Sequence, residues 1–533
     1  MEENGTPTPT PAQPAAQQRR SKKRILFITN IERGQANVFL ATSHALLQIK
    51  PAPELHFATF TGLEAEVSST SQHAILTASP HLSPAEPIQP ITFHTIRGPS
   101  GIDGMQQYYA SRKTPKRSFV PDSFVSPLNF FTTLRAIHDT MPIFFTHDGP
   151  QTAEVVASII EIIKQVDADL VVVDCVMTAA LTACQHLGVK FACLSPNSIL
   201  DMARSAQPYG ASFLRFPVMF SGFSYPVPWY LKPLNILYIL YVVSAYLRFD
   251  RRRETVKYLA QHMGAKLRTP IDLSRDRPVD LKLVVGCLAE LDFPGIHIPA
   301  HVVPCGPIIR DSSGPPISEA DSELCAWLAK RPTLYVNLGT LCQLDEDRAV
   351  ELARALRLVL VQAPQDFQVL WKLKKFGEYG TVNAGCRIHD VLGKFIDADL
   401  VRIVGWLVPE PISILWTGHV ACSVHQGGAN SYYEAIIAGV PQVVLPQWID
   451  CYLYAERVEY LGMGRVGNRK AKPLWTAEEL ATAILDVLFG KDSEAIRQKA
   501  RELAEICKRN GNGAENAARI LLAECDVSNK KGQ

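Results

Sequence analysis

The sequence predicts an α/β fold with two domains, each built on a parallel sheet. At 533 residues the chain is longer than one hydrophobic core usually covers. Apolar strand-like runs alternate with helical runs, and this alternation stops and then starts again in the second half. A segment rich in Gly, Pro and Ser separates the halves, as expected of an exposed linker. These three observations predict two large α/β units.

The first half opens with a buried-strand pattern, RILFITN at 24–30, followed by a predicted loop at 31–37 and a helix at 38–49. Further strand-like runs lie at 55–60, 90–96, 168–176 and 190–195. Helical segments separate several of these runs, and this alternation predicts a parallel sheet with helices on both faces. We place the first domain at 24–305.

The second half repeats the pattern. Its strand-like runs lie at 333–340, 367–374, 400–406, 419–424 and 441–446. Helical runs at 347–362 and 430–439 lie between them. We place the linker at 306–322, the second domain at 323–500, and a C-terminal helix and tail at 501–533.

Composition excludes several classes of protein. Lys and Arg number 54 against 52 Asp and Glu, which argues against a nucleic-acid-binding surface. None of the twelve cysteines is paired in CxxC spacing, so we expect reduced thiols rather than a disulfide framework or zinc site. Residues 1–23 show no apolar signal region and are predicted to be a disordered tail. These features predict a cytoplasmic protein.

The segment 216–247 is unusually apolar and carries one charge, Lys232. The uncharged part, 233–247, is shorter than the roughly 20 residues that cross a bilayer. Three interpretations stay open: a buried helix, an apolar acceptor pocket, or a peripheral membrane contact through 233–247. The tyrosines and the basic flank at 248–253 favour the last over the pocket.

The stretch HQGGANS places His425 at the end of a predicted strand, before a turn at Gly427 and Gly428. Ligands of parallel sheets bind beyond the carboxyl ends of strands, and a helix N-terminus favours phosphate. An alternative needs no ligand, since Ser431 and Glu434 form the S-x-x-E pattern of a capping box. The next loop offers Trp448 and Asp450, an apolar face and a carboxylate suited to ring hydroxyls.

Here the chain resembles a known family. Residues 400–466 follow a pattern that begins GW-x(9)-L-x(3)-HV-x(4)-H-x-GG-x-NS-x(2)-E and continues to P-x-W-x-D. This resembles the signature of the UDP-dependent glycosyltransferases, whose GT-B fold has two Rossmann-like domains facing across a cleft. VNLGT at 336–340, CGP at 305–307 and LCAWL at 324–328 support the match. The extra residue between His and Asn is similar to fungal members.

The resemblance implies a UDP-sugar co-substrate in the C-terminal domain, a lipophilic acceptor in the N-terminal domain, and no cofactor. Trp406 would stack on uracil, near Val408 and Glu410, although simple packing of Trp406 at a strand end is the alternative. The diphosphate would be held by the loop Gly339–Thr340 and by His425, Gly427, Gly428, Asn430 and Ser431. Glu434 would bind the ribose, and the sugar would lie near Trp448, Asp450 and Cys451.

Two positions depart from the family pattern. Cys451 stands where a glutamine is usual, so glucose is only the default donor sugar. Gln35 stands where a catalytic histidine is usual, and a glutamine cannot act as a general base. We expect Asp174 to replace it, with Glu32 as a further candidate and Gln35 as a hydrogen-bonding partner of the acceptor oxygen. The alternative for Asp174 is that it only caps the next helix.

No metal is predicted. The carboxylate pairs Asp167/Asp169 and Asp397/Asp399 precede their strands and so lie at the wrong edge of each sheet. The predicted function is inverting transfer of a hexose from a UDP-sugar to a hydroxyl or carboxyl of a lipophilic small molecule, in fungal secondary metabolism. Two alternatives stay open: a non-catalytic homologue that binds nucleotide sugar, motivated by Gln35, and a nucleotide-sugar epimerase on the same fold.

Overall fold

The structure is a computed structural model that describes residues 22–78, 88–111, 120–310, 316–364 and 366–526. The predicted tail at 1–23 falls outside these ranges except for its last two residues, as do the middle of the predicted linker and the last residues of the chain.

Two all-parallel sheets organise the chain, and the predicted α/β fold is confirmed. The first is seven-stranded, in the order β3-β2-β1-β4-β5-β6-β7, and the second six-stranded, in the order β10-β9-β8-β11-β12-β13. The first sheet comprises β1 (Arg24–Ile28), β2 (Glu54–Thr59), β3 (Thr92–Thr95), β4 (Leu170–Asp174), β5 (Phe191–Ser195), β6 (Leu283–Val285) and β7 (Val302–Pro304). The second comprises β8 (Thr333–Asn337), β9 (Gln368–Lys372), β10 (Val401–Val404), β11 (Val420–His425), β12 (Gln442–Val444) and β13 (Gly464–Val466).

Helices cover both faces of each sheet. Those of the first half are α1 (Arg33–Leu47), α2 (Glu64–Ala78), α3 (Gly101–Ser111), α4 (Phe130–Asp139), α5 (Met141–Phe144), α6 (Gly149–Val166), α7 (Thr178–Leu187), α8 (Ile199–Ala203), α9 (Ala211–Leu214), α10 (Lys232–Arg248), α11 (Asp250–Met263) and α12 (Asp272–Arg275). Those of the second half are α13 (Ile317–Ala320), α14 (Ser322–Leu328), α15 (Glu346–Gln362), α16 (Arg387–Asp397), α17 (Pro411–Leu415), α18 (Ala429–Ile437), α19 (Cys451–Tyr460), α20 (Ala477–Phe489), α21 (Ser493–Asn510) and α22 (Gly513–Asp526). Short 3-10 turns lie at Asp122–Phe124, Arg204–Ala206, Pro208–Gly210, Trp229–Leu231 and Ala289–Leu291.

Each predicted strand run overlaps an observed strand, but three strands, β6, β7 and β13, were not predicted. Each has only three residues, too few for a period of two to be recognised. The predicted loop at 31–37 is wrong from Arg33 onward, because α1 already begins there. Its first turn forms when the Glu32 carbonyl accepts from the amides of Gln35 and Ala36.

The order of the strands reverses beside β1 in the first sheet and beside β8 in the second. β1 pairs with both β2 and β4, and β8 pairs with both β9 and β11. Loops that leave neighbouring strands in opposite directions open a crevice at the carboxyl edge of a parallel sheet. The two ligand-binding positions of the fold are therefore the loops after β1 and β4, and those after β8 and β11.

Buried polar contacts join the two halves directly. Arg457 of α19 donates from Nε to Asp292 Oδ1 at 2.6 Å, and both side chains are fully buried. The same guanidinium donates to Ser198 Oγ at 2.7 Å, and the Tyr432 hydroxyl donates to the Leu291 carbonyl at 2.8 Å. One apolar core also contains residues of both halves, so the halves form a closed pair.

The chain crosses between the halves twice. Helix α21 runs without a break across residue 500, where the second domain was predicted to end, and α22 then packs on α1 of the first half. The two crossings touch, because the Asn516 side-chain amide donates to the Cys305 carbonyl at 3.0 Å. A Cβ on Gly513 would lie 2.5 Å from the Gly306 carbonyl oxygen, so only glycine fits there.

Helix α10 lies within the apolar segment 216–247, and its outward face stays exposed. Only Asn235, Tyr238 and Tyr246 of this helix are buried, so the predicted buried helix is wrong for most of its surface. Trp229–Arg248 is also the one stretch, within the described part of the chain, that is long and apolar enough to cross a membrane. Its mean hydropathy is 1.3, and length and composition alone make this a weak sign of a span.

Candidate active site

His425, at the end of β11, has both ring nitrogens engaged by the protein. Its Nε2 lies 2.8 Å from Gln442 Oε1, and its Nδ1 accepts from the Gly427 amide at 3.1 Å. Burial lowers the pKa of His425 to about 4, so the ring is neutral at ordinary pH. The predicted direct donation to a phosphate oxygen is not the arrangement found, because this ring holds the glycine turn in place.

The glycine turn approaches the next loop closely. Gly427 has φ +88°, and a Cβ there would lie 2.8 Å from the Cys451 carbonyl oxygen. Gly339, in the loop after β8, has φ +78°, and its Cβ would lie 2.4 Å from the Gln426 side-chain amide. Beyond it, Thr340 is exposed beside this turn. Gly427 therefore lets the loop after β11 lie against the start of α19, and Gly339 lets the loop after β8 lie against Gln426 of the loop after β11.

The capping box predicted for Ser431 and Glu434 does not form. Helix α18 begins at Ala429 after Gly428, so Ser431 lies in its first turn rather than at the N-cap position. No side chain caps this N-terminus. The first-turn N–H groups, including that of Asn430, face the glycine turn with a partial positive charge. An uncapped helix start at the carboxyl end of a central strand can bind the phosphates of a nucleotide.

Trp406, two residues after β10, is 58% exposed. That exposure argues against the packing alternative. The Lys372 ammonium lies 4.3 Å from the ring centroid and the Arg33 guanidinium 5.6 Å. Val408 is exposed beside the same loop. Trp406 thus offers an aromatic ring with two cationic side chains beside it, a combination that suits a nucleobase linked to phosphate groups.

Glu434 lies deep in the site near a second carboxylate. Burial first, and then the charge of Glu410, raise the pKa of Glu434 to about 7, while Lys372 opposes the shift. The Arg310 Nη1 atom lies 3.9 Å from Glu410 Oε1. The pKa of Glu434 therefore lies near neutral pH. A hydroxyl that donated a hydrogen bond to this carboxyl would favour its charged form.

The loop after β12 carries Trp448, Asp450 and Cys451. Ile449 has φ +45°, a strained conformation for a β-branched residue, and it directly precedes Asp450. Burial, and then the charge of Asp201, raise the pKa of Asp450 to about 7. Cys451 is only 3% exposed and its backbone packs under the Gly427 turn, so its thiol does not line an open site.

In the first half, Asp174 ends β4 and is fully buried. Its Oδ1 accepts from the Val176 amide at 3.0 Å and its Oδ2 from the Thr29 hydroxyl at 3.4 Å. No side chain caps α7, so the capping alternative is not what the structure shows. Burial, followed by repulsion from Glu32, raises the pKa of Asp174 to about 7.

Glu32 precedes α1, and burial also raises the pKa of its carboxyl. Asp174 and Glu32 thus form a pair that resists double ionisation. Glu32 retains partial exposure whereas Asp174 has none, so Glu32 is the member that a bound molecule can reach.

Gln35 lies in the first turn of α1, not in a loop. Its Oε1 is buried and has no hydrogen-bond partner among the described residues. A buried unpaired oxygen is unfavourable unless a ligand or water supplies a donor. This agrees with the expectation that Gln35 contacts an acceptor.

Within the ranges that the structure describes, no group of three or more His, Cys, Asp or Glu residues has a metal-binding arrangement. Three residues of the site were not predicted: Lys372, Arg33 and Asp201. Lys372 ends a strand next to β8, a signal that could have identified it. Arg33 and Asp201 belong to the first half, and only the way in which the two halves pack together brings them to this site.

Comparison with known proteins gives matches of three kinds: a family, curated relatives and solved structures. Residues 394–520 match the family described as Erythromycin biosynthesis protein CIII-like, C-terminal domain. The chain is 31% identical to Glycosyltransferase sdnJ of Sordaria araneosa, covering 94% of this chain and 98% of that protein. It also resembles the structure of a UDP-glucosyltransferase from Polygonum tinctorium capable of glucosylating indoxyl, with TM-score 0.59 at 16% identity, covering 96% of this chain and all of that one.

The likeness to the Polygonum structure shows the GT-B fold, whose two parallel-sheet domains the topology reproduces. The match to the Sordaria protein extends over nearly the whole of both chains. The chain therefore belongs to the family of UDP-dependent glycosyltransferases and is a glycosyltransferase.

Proposed function

We propose that the protein transfers a sugar, glucose by default, from a UDP-sugar to a hydroxyl or carboxyl of a lipophilic small molecule in fungal secondary metabolism. The observation that carries this proposal is the uncapped N-terminus of α18, which begins behind the Gly427 turn at the domain cleft. The family and the Sordaria relative support it.

In this proposal the UDP moiety extends from Trp406 to the glycine turn. Uracil stacks on the exposed face of Trp406, and Glu434 accepts from the ribose hydroxyls. The diphosphate receives hydrogen bonds from the first-turn amides of α18 and from Thr340. Its charge is balanced by the helix N-terminus and by Lys372, which needs no metal ion.

The sugar lies between Asp450 and the first domain. Asp450 is the N-cap residue of α19 and accepts hydrogen bonds from sugar hydroxyls. Trp448 provides an apolar surface beside it. Because the Cys451 thiol is buried, we do not assign it a hydrogen bond to the sugar. Discrimination between sugars then rests on Asp450 and on residues that the first domain contributes near Asp201.

The reaction is a single in-line displacement. The acceptor oxygen forms a bond to the anomeric carbon while the bond from that carbon to the UDP oxygen breaks, which inverts the configuration. The proton of the acceptor goes to the Glu32/Asp174 pair, with Glu32 nearest to the acceptor and Asp174 buried behind it. Gln35 Oε1 accepts a hydrogen bond that orients the acceptor.

The acceptor is lipophilic because the wall beside the donor loop is apolar. Trp448 and Ile449 of the donor loop are half-buried and pack against a buried cluster of Phe124, Phe220 and Tyr238. The surface offered to a flat or polycyclic apolar molecule is the accessible side of Trp448 and Ile449, with the buried cluster behind it. A peripheral membrane contact through 233–247 would deliver such molecules to the cleft.

The test uses purified protein, UDP-glucose and other UDP-sugars, and a panel of lipophilic phenols, alcohols and acids. We expect acceptor-dependent release of UDP and a product of inverted configuration. Glu32→Gln should lower kcat by at least about a hundredfold while leaving UDP affinity unchanged, because general base catalysis contributes on that scale. Val361→Gln, on an exposed position of α15, is the matched control.

The same experiment separates the two alternatives. A non-catalytic homologue would bind UDP tightly and give no product with any acceptor in the panel. An epimerase would consume UDP-sugar without an acceptor and yield a second UDP-sugar. Either result would overturn the proposal.

A further inference from the structure

The outer surface of the first domain carries an apolar ridge, defined here by Trp229, Tyr230, Leu237, Leu240, Val243 and Leu247. Trp229 is 80% exposed, Tyr230 63% and Leu240 57%. The last four residues recur every three or four positions along α10, so they form one stripe on one side of the helix. Single exposed apolar residues are common, but a continuous stripe of this kind marks an interaction site.

Helix α10 is apolar on its inward side as well as its outward side. Inward, Leu234, Tyr238, Ile239 and Val242 belong to or pack against an apolar cluster. The same side holds Asn235, whose side chain accepts from the Val218 amide at 2.9 Å and donates to the carbonyls of Phe213 and Phe216. Because the outward side carries leucines too, the helix is apolar all round, and an apolar covering of the ridge would be favourable.

Charge around the ridge is mainly positive. Between Trp229 and Arg248 the only charged residues are Lys232 and Arg248, one towards each end. Just beyond the second end, α11 exposes Arg253 and Lys257 together with Asp250, which pairs with Arg253, and Glu254, so cations still outnumber anions around the ridge. Aromatic residues at one end, leucines between and cations at the margins form the pattern of helices that lie in a bilayer interface. The cations complement anionic lipid headgroups.

Two other coverings fit less well. If α10 crossed a bilayer, Asn235 and Tyr246 would lose the hydrogen bonds that hold them to the domain, and their polar groups would enter hydrocarbon. If a second copy of the chain covered the ridge, Lys232 and Arg248 would meet the same cations of the other copy in either orientation. On a bilayer surface α10 keeps its hydrogen bonds to the domain, and its cations do not face other cations.

We infer that the ridge docks the protein on an anionic bilayer, with α10 lying in the interface rather than across it. The inner face of the same helix bears Tyr238, which belongs to the apolar cluster that meets Trp448 and Ile449 of the donor loop. Docking therefore places the proposed acceptor wall next to the lipid, so that a lipophilic acceptor enters from the bilayer. This route to the acceptor site rests on the proposed function, whereas the docking itself does not.

The test is flotation of the full-length protein with vesicles of phosphatidylcholine, with and without phosphatidylserine. We expect the protein to float with the anionic vesicles, less with the neutral ones, and less at high salt. The double variant Leu237→Lys/Leu240→Lys should lower the floating fraction about tenfold or more. The matched control is Leu76→Lys/Val361→Lys, which changes two residues of comparable exposure, 71% and 64%, outside the ridge.

Each other outcome overturns the inference. One such outcome is that the protein stays in the soluble fraction at both lipid compositions. Another is that the ridge variant floats as well as the control. A third is that the protein resists extraction by alkaline carbonate, as a membrane-spanning protein does. A dimer in solution that the ridge variant dissociates assigns the surface to self-association. Transfer to a water-soluble phenol, measured without vesicles, should be equal in both double variants, so loss of docking and failure of the proposed function are distinguished.

Discussion

Gly427 offers a sharp test of the phosphate-binding turn. Its φ of +88° costs any residue that has a Cβ roughly 1–2 kcal/mol. In Gly427→Ala the new Cβ would also lie 2.8 Å from the Cys451 carbonyl oxygen and 3.0 Å from Val444. Backbone atoms cannot yield as a flexible side chain can, so the turn must move away from the start of α18.

The movement should cost at least one hydrogen bond between an amide and a phosphate, about 1.5–3 kcal/mol. UDP affinity should therefore fall roughly 10- to 100-fold. Gly462→Ala is the matched control, because Gly462 has φ +78° in the same domain and a Cβ there would meet no atom within 4 Å. Both variants should lose thermal stability, Gly427→Ala more because of its additional contact, and only Gly427→Ala should lose affinity for UDP.

The assay is titration calorimetry with UDP, beside thermal unfolding of both variants. If Gly427→Ala bound UDP as tightly as the wild type while it lost at least as much stability as Gly462→Ala, the diphosphate would not lie on this turn. If both variants lost affinity equally, general strain in the domain would explain the effect, and the argument from the close contact would fail.

Four further predictions concern the pH dependence of turnover and of stability, the uracil surface and the domain interface. Turnover should rise with pH through about 7 as Asp174 in the Glu32/Asp174 pair loses its proton; the measurement is kcat/KM from pH 5 to about 9. The folded protein holds the Asp174 proton more tightly than the unfolded chain does, so the free energy of unfolding should fall as pH rises from 3.8 towards 7. In Asp174→Asn the contribution of this proton should be absent, which urea unfolding at several pH values would measure. Trp406→Ala should weaken UDP binding about tenfold in calorimetry, whereas Trp416→Ala, at an exposed tryptophan outside the site, should not. Arg457→Ala should lower the free energy of unfolding by about 3–5 kcal/mol, because Asp292 would be left buried without its partner, and restoration by Asp292→Ala in the double variant would confirm the coupling in urea unfolding.

The fold could be predicted because long strands and helices leave periodic patterns. β1, β4 and β11 each stand in an apolar run that ends at a polar or glycine-rich loop, and the order of the runs determined the class of fold. The short strands β6, β7 and β13 have three residues each and show no period, so only their neighbours in the sheet reveal them.

The site was predicted less completely, for two physical reasons. Local patterns can be satisfied in more than one way: the S-x-x-E pattern at Ser431 could cap a helix, but the helix begins earlier, at Ala429. Contacts between distant segments leave no local pattern at all. The contact of Arg33 with Trp406 and the effect of Asp201 on Asp450 depend on how the two halves face each other.

The chain passes between the halves at two places, and these two places are in contact at Gly306 and Gly513. Arg457 and Asp292 add a second connection, a buried ion pair between the halves. A movement that separated the halves would have to expose or part these two charges, which is unfavourable. Any entry of UDP-sugar that required such a separation would therefore carry this cost in free energy.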